Sequence, residues 1–485
     1  RHLSWSGCAA SKTGFSGCPV KMADVSAHSP EADGRWSASS LIYFAAYICT
    51  IINEVIHNTG LGDIANWLML AFITLEYRKT EIIPKVMSTL LLAIGLLAAS
   101  TLDMAWDNIW QGVSRTRVFL VLFGSVAWLA VPARESPSLR AIREMVLTQP
   151  PGRRFAYLGI AAHGLGLAFN LAGISLLSGM ISDKHSPRLK RRLGRAMAHG
   201  FALVPCWSPF FVGAVVILAA WPEVKWSQIA PYGVCLAIIL WSLSWAMDKL
   251  TNPPRPPSAN APVPAKVSGK AWLNTSVVLG CLFTAVILIV EGVDISIPIA
   301  LGIVGPPLDL IWRASFYAPS ERRDQSIAFS RRTISGLKNI RSEILLFTAA
   351  NTMGVGISGL IDPDLITTTV QSFDLAPLAM LLLLSFCYLT LAALGLHPVI
   401  TIILLSQFLT AELMGISPTI MVLALLALWG LSTNLSPTSA TSLYISRLTN
   451  ESNLTVAWRW NAPFSYAAGI VISILGATLS YFGLM

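Results

Sequence analysis

Residues 432–442 read Ser-Thr-Asn-Leu-Ser-Pro-Thr-Ser-Ala-Thr-Ser, with eight hydroxyl or amide side chains in eleven positions. The stretch nevertheless follows the apolar run MVLALLALWG (421–430) and leads into LYI (443–445). Backbone breaks at membrane depth are tolerated only where they are buried in protein or line a cavity, because lipid offers no hydrogen-bond partner. Pro437 removes a helical donor and frees upstream carbonyls. The stretch is therefore expected to be the unwound middle of a discontinuous membrane helix. Its freed carbonyls could coordinate a cation, and half-helix N-termini could offer N–H groups to an anion.

Composition agrees with a membrane setting. Of 485 residues, 54% are hydrophobic and 12% charged, with a mean hydropathy of +0.63, whereas soluble domains carry about 25% charge. The apolar residues fall in blocks long enough, or nearly so, to cross about 30 Å of hydrocarbon. The net charge of +9 comes from clusters in the loops between those blocks, which points to an anionic membrane face and not to nucleic acid. The seven cysteines show no CxxC spacing, so neither a metal site nor a disulfide framework is expected. Gly354–Gly359 spells GxGxxG but lies inside an apolar block with no strand before it, which favours close helix packing over dinucleotide binding.

The expected spans are 40–55, 61–75, 86–103, 116–133, 196–220 and 228–247, then 272–291, 293–315, 342–360, 418–445 and 464–484. Loops 77–85, 134–154 and 313–341 are basic and should be cytoplasmic, as should the six-proline linker 251–270; loops 104–115, 221–227 and 361–375 should be external. Segment 155–182 is apolar, yet basic clusters flank both its ends, so it is expected to enter and leave on the cytoplasmic side as a re-entrant hairpin. Segment 376–410 mirrors it, with Gly395-Leu396-His397-Pro398 as its break.

At an offset of 228 the two halves align without a gap. Ile174, Leu176, Leu177 and Ser178 fall on Ile402, Leu404, Leu405 and Ser406, and Ala196, Leu203, Ser208, Pro209 and Ile217 fall on Ala424, Leu431, Ser436, Pro437 and Ile445. The loop DKHSPRLKRRLGR (183–195) carries six Lys or Arg, whereas its counterpart AELMGISPTIMVL (411–423) carries none. Two copies of one fold inserted in opposite orientations would show that asymmetry. The expected fold is thus an all-α polytopic membrane protein with about 11 transmembrane helices plus two re-entrant hairpins in an inverted-topology repeat. The divisions are a polar segment 1–37 (with Met22 as the expected start), an extra helix 38–57, a first repeat 58–247, a Pro-rich linker 248–271 and a second repeat 272–485.

These features resemble the ion transporter superfamily, which includes divalent anion–sodium symporters, arsenite permeases and the large permeases of tripartite (TRAP) systems. LSTNLSPTSATSLYI is similar to the unwound helix of that family's C-terminal half, GLHPVITIILLSQFL to its hairpin, and EILLFTAANTMGVGISGLID (343–362) to the segment before that hairpin. The resemblance implies a secondary active transporter of a small anionic organic acid in a bacterial inner membrane, multi-pass, with a cytoplasmic N-terminus and a homodimeric state. Coupling would be to Na+ or H+, with no cofactor. A permease subunit of a binding-protein-dependent system is the alternative. No GxSxG or HExxH occurs, so an intramembrane hydrolase is not expected.

The expected solute or ion ligands are Asn170, Ser208, His397, Asn434, Ser436, Thr438, Ser439 and Thr441, with helix breaks at Pro209, Pro398 and Pro437. LVPCWSPFF (203–211) should face the hairpin tip 169–173, and the second break should face the tip 395–399. No charged residue is expected near the middle of a span, which leaves His163, His199 and His397 as the titratable groups at depth.

Overall fold

The computed structural model describes residues 36–150, 153–182, 185–252, 267–360 and 362–483, and no strand occurs among them. The expected Met22 start and the prolines of the linker lie outside the described residues. Among the described residues, eight helical stretches are long and apolar enough to cross a membrane: Ala38–Ile56, Ile82–Ser100, Ala105–Glu135, Trp226–Thr251, Gly269–Val293, Ile297–Ala314, Pro418–Thr449 and Thr455–Tyr481. The chain is therefore an all-α, multi-pass membrane protein.

Before the linker come α1 (Ala38–Ile56), α2 (Thr59–Glu76), α3 (Ile82–Ser100), α4 (Ala105–Arg115), α5 (Arg117–Glu135) and α6 (Pro137–Leu147). They are followed by α7 (Arg154–Phe169), α8 (Leu171–Ser175), α9 (Pro187–Ala202), α10 (Val212–Ala220) and α11 (Trp226–Thr251). After it come α12 (Gly269–Val293), α13 (Ile297–Ala314), α14 (Arg322–Gly336), α15 (Arg341–Ser358), α16 (Pro363–Gln371) and α17 (Pro377–Ala393). The chain ends with α18 (Pro398–Leu405), α19 (Ala411–Met414), α20 (Pro418–Leu435), α21 (Ala440–Thr449), a π-helical turn over Thr455–Asn461 and α22 (Ala462–Tyr481). One local device starts five of these helices. A proline opens α6, α9, α16, α18 and α20, and the preceding Ser136, Ser186, Asp362, His397 or Ser417 accepts a backbone N–H through its side chain. Proline needs no N–H partner at that position, and the capping side chain satisfies one of the donors left over.

Side-chain pairs fix the helix directions. Arg192 pairs with Asp248 at 2.7 Å, His199 Nδ1 meets Ser244 Oγ at 2.8 Å, and Gly233 abuts the Cys206 carbonyl, so α9 runs antiparallel to α11. The Arg192 guanidinium also lies 6.0 Å from the Phe155 ring, while Gly159 meets Gly200 and Gly166 meets Val204. Hence α7 runs parallel to α9, and the chain between them must return to the end it started from. In the second half, Leu381 meets Gly476 and Leu389 meets Gly469, while Ile420 meets Gly476 and the Ser465 hydroxyl donates to the Leu431 carbonyl at 3.3 Å. Both α17 and α20 thus oppose α22 and parallel each other, and Gly415 comes back beside Pro377. Finally, Gly194 faces Ile445 and Thr449 while the Ala202 carbonyl faces Gly430. The tract α9–α10 therefore crosses the tract α20–α21 antiparallel. Apart from Arg115, Arg117 and Lys225, every described Lys and Arg lies toward the end of the bundle where α11 stops and α12 starts. We call this the linker end.

Three sequence expectations are corrected. Residues 104–115 are not a loop: all but Met104 form α4, whose Gly112 packs against Thr352 and whose Asn66–Ser114 hydrogen bond (2.8 Å) ties it to α2. Their alternation of tryptophan with polar groups is that of an amphipathic helix with one buried face. Both ends of the expected linker 248–271 are helical, because α11 runs to Thr251 and α12 starts at Gly269. Charge also lies within the bundle. Asp309 on α13 is fully buried, with both carboxylate oxygens lacking a partner among the described residues, and Asp248 is fully buried against Arg192. Near Asp309, Pro306 has no N–H for the Gly302 carbonyl, and the Tyr47 hydroxyl donates to that carbonyl at 2.9 Å.

The Arg192–Asp248 pair gives a stability test. Replacing Arg192 by leucine leaves the fully buried Asp248 carboxylate with the Asn252 amide, at 3.1 Å, in place of a charged partner, and breaking such a pair costs about 3–5 kcal/mol. Arg192→Leu should sharply lower the unfolding temperature of the detergent-solubilised protein, and Arg192→Leu/Asp248→Leu should recover most of the loss. If both variants were equally destabilised, the pair would not be the cause.

Candidate functional site

The second-half break is narrower than the polar stretch that announces it. Residues 432–435 stay helical in α20, and only Ser436–Ser439 are unwound before α21. The local chemistry explains the hydroxyls. Pro437 has no N–H to offer the Thr433 carbonyl, and the Ser439 and Ser442 side chains donate to it instead. Ser442 also donates to the Asn434 carbonyl at 3.2 Å, and Ser439 caps α21 by accepting from the Ser442 N–H at 3.1 Å. Ser436 and Thr438 pair through their hydroxyls at 3.0 Å, and Thr438 donates to the Gly395 carbonyl at 3.3 Å, which brings the hairpin turn onto the break. Gly395 has φ +98, a left-handed conformation that glycine adopts without a Cβ penalty.

His397 sits at this turn, half-buried, and its Nδ1 accepts the Val399 N–H at 3.2 Å as the cap of α18. Pro398 opens α18, and its carbonyl accepts from the Tyr388 hydroxyl at 3.4 Å. Thr441 is buried in α21. Asn434 is different. It is fully buried, and neither its Oδ1 nor its Nδ2 has a partner among the described residues. An unsatisfied buried amide costs about 1–3 kcal/mol, so Asn434 is an energetically unfavourable group in this core. Asn461 and His199 are likewise buried and interact with each other through their side chains, and Asn461 Nδ2 donates to the Asn434 carbonyl at 3.4 Å.

The first-half break is built alike. The chain leaves α9 at Leu203, makes a short 3-10 turn over Val204–Cys206 and re-enters helix at Val212. Asn170, at φ +49, is the turn between α7 and α8, and its Nδ2 donates to the Phe210 carbonyl at 2.9 Å. The Ser208 hydroxyl, fully buried, donates to the Leu167 carbonyl at 2.7 Å. Break and turn are thus tied together in both halves. His163 has both ring nitrogens occupied, by the Gly200 carbonyl at 3.1 Å and by the Trp207 N–H at 3.0 Å, which assigns it to scaffolding.

A cavity of about 740 Å³ opens away from the linker end, between α4–α5, α10, the α12–α13 turn, α15 and α18. Pro209 is the one predicted site residue on its wall; the polar break 436–439 does not line it. Sequence reasoning missed Arg115, Asn351, Ser406 and Gln407, which do. At the linker end lies a crevice of about 20 Å³ lined by Ala133, Arg134, Leu165 and Leu176 among others. The Tyr444 hydroxyl donates to the Ser175 carbonyl at 3.4 Å, holding α21 to α8. No protein-family model matches the chain, and no curated protein matches it.

Proposed function

We propose that the protein is a secondary active transporter that moves a small anionic solute by alternating access. Its halves would be inverted-topology repeats, each with one re-entrant hairpin (α7–α8 and α17–α18) meeting one interrupted helix. The observation that carries this is the crossing of α9 and α20. The touching positions, Ala202 and Gly430, differ by the repeat offset of 228, as they would on a pseudo-two-fold axis. Element limits support it as well. Adding 228 to α10 gives 440–448 against Ala440–Thr449, and adding it to α11 gives 454–479 against 455–481 for the π-turn and α22. The contact Tyr444–Ser175 has its counterpart in Val216 and Ile403, which both line the cavity. One member of this pair of spaces is open at about 740 Å³ and the other shut at about 20 Å³, the asymmetry expected of one state in an alternating cycle. The basic linker end would be cytoplasmic in a bacterial inner membrane. Coupling to Na+ or H+ and a homodimeric assembly belong to the same proposal.

The test is uptake and counterflow of radiolabelled organic acids in proteoliposomes, with and without sodium and proton gradients. Gradient-driven accumulation of at least one acid is expected; if no gradient drives any acid, the proposal fails. Asn434→Leu sharpens it. Removing two unsatisfied polar atoms should leave the unfolding temperature unchanged or raised, while transport falls about tenfold if that amide binds solute or ion. Undiminished transport would remove Asn434 from the site.

A further inference from the structure

We propose that Arg115 is the anion-selecting residue of the open cavity, holding the carboxylate or other oxyanion group of the solute. The inference deepens the transporter proposal by placing recognition on the cavity wall and not at the hairpin turns.

Four observations carry it. Arg115 lines the cavity of about 740 Å³, within the size range of small-molecule sites. Its backbone lies at the depth of Thr116, which accepts a hydrogen bond from Asn351 at 3.3 Å, eleven residues into the eighteen of α15, while the Arg115 side chain itself is exposed. Its guanidinium makes no hydrogen bond or ion pair among the described residues, whereas Arg117, two positions on, has Glu54 at 4.0 Å. The same wall carries Asn351, Ser406 and Gln407, whose donors are committed to Thr116, Ser406 and the Phe347 and Ile403 carbonyls, so the uncommitted donors there are those of Arg115. The other charges on the wall, Lys225, Glu291 and Asp294, lie at the start of α11 and the end of α12, where Glu291 accepts from Ser227 at 3.2 Å. Arg115 is therefore the charge of the inner wall. An arginine facing lipid would extend its side chain to the interface; this one faces a largely apolar cavity that Pro209 also lines. Its planar fork fits a carboxylate with two parallel N–H···O bonds.

The test needs no knowledge of the natural solute. Ser406→Cys places a thiol on the wall, and its modification by the anionic sulfonate reagent MTSES and the cationic reagent MTSET is followed at position 406 by peptide mass spectrometry on the full chain in proteoliposomes. The MTSES-to-MTSET rate ratio should fall at least about tenfold on adding Arg115→Gln and return with Arg115→Lys. The Arg115→Lys rescue, with native elution of both variants, separates lost charge from lost fold. An unchanged ratio in Arg115→Gln overturns the proposal, as does failure of either reagent to reach the introduced thiol. A shifted ratio in a protein that shows no gradient-driven uptake would sink the transporter proposal and leave Arg115 in place.

Discussion

Gly430→Ala is expected to leave almost no folded protein. A Cβ at position 430 would overlap the carbonyl oxygen of Ala202 and come within 3.2 Å of Pro205 Cδ. The obstacle is backbone, so no rotamer change relieves it, and α20 would have to move away from α9 along the crossing that joins the two halves. Overpacking a well-filled core costs about 1–3 kcal/mol and sometimes more; where two helix backbones touch, the upper end or beyond is expected. Trp429, the neighbouring residue, is packed on Gly213 of α10, so the displacement would carry to the second half-helix as well. The measurement is the monodisperse fraction and unfolding temperature after extraction in mild detergent. Gly280→Ala is the control: a Cβ there meets nothing within 4 Å, and alanine favours a helix over glycine by about 1 kcal/mol. If Gly430→Ala behaved like Gly280→Ala, the close crossing would be wrong.

The two breaks were legible because proline and crowded hydroxyls contradict an apolar block, and a contradiction of that kind is local. Ser208-Pro209 and Ser436-Pro437 stand 228 positions apart and both fall at interruptions. Most of those hydroxyls then serve the carbonyls the break itself frees, as Ser439 does for Thr433, and the sequence could not separate that duty from solute binding. Arg115 was illegible for a different reason. Its stretch WDNIWQGVSR (106–115) is too polar to score as membrane-crossing, although Gly112 and Val113 bury against neighbours that only the assembled bundle provides. Asp309 sits between Pro306-Pro307 and Arg313 and so looked like the end of a span; its burial comes from elements distant in sequence, α1 and α5 among them. The α4 register and the cavity were set by tertiary contacts, and a pattern of polarity along one helix does not contain them.

Tying α8 to α21 should stop transport. Tyr444 reaches the Ser175 carbonyl at 3.4 Å, and the next residue, Leu176, is on the wall of the crevice of about 20 Å³. The alternating access proposed above would require that crevice to widen while the opposite cavity closes, so α8 and α21 would part in every cycle. A Ser175→Cys/Tyr444→Cys pair bridged by a short, reductant-cleavable bis-thiosulfonate reagent holds them together. Solute exchange should fall at least about tenfold and return after reduction, because a covalent tether leaves the open-to-linker state almost unpopulated. Each variant carrying only one of the two added cysteines, treated in the same way, should keep most of its flux: Ser175→Cys leaves the backbone carbonyl in place, and Tyr444→Cys removes one hydrogen bond and a half-buried ring without forming a tether. The open cavity is untouched by the tether, so a thiol at position 406 should remain reactive toward MTSES in the bridged protein. Loss of that reactivity would mean the bridge had distorted the fold. Full exchange with the bridge verified by mass spectrometry would show that α8 and α21 do not separate, and solute would then have to cross by a route other than the one between the two interrupted helices.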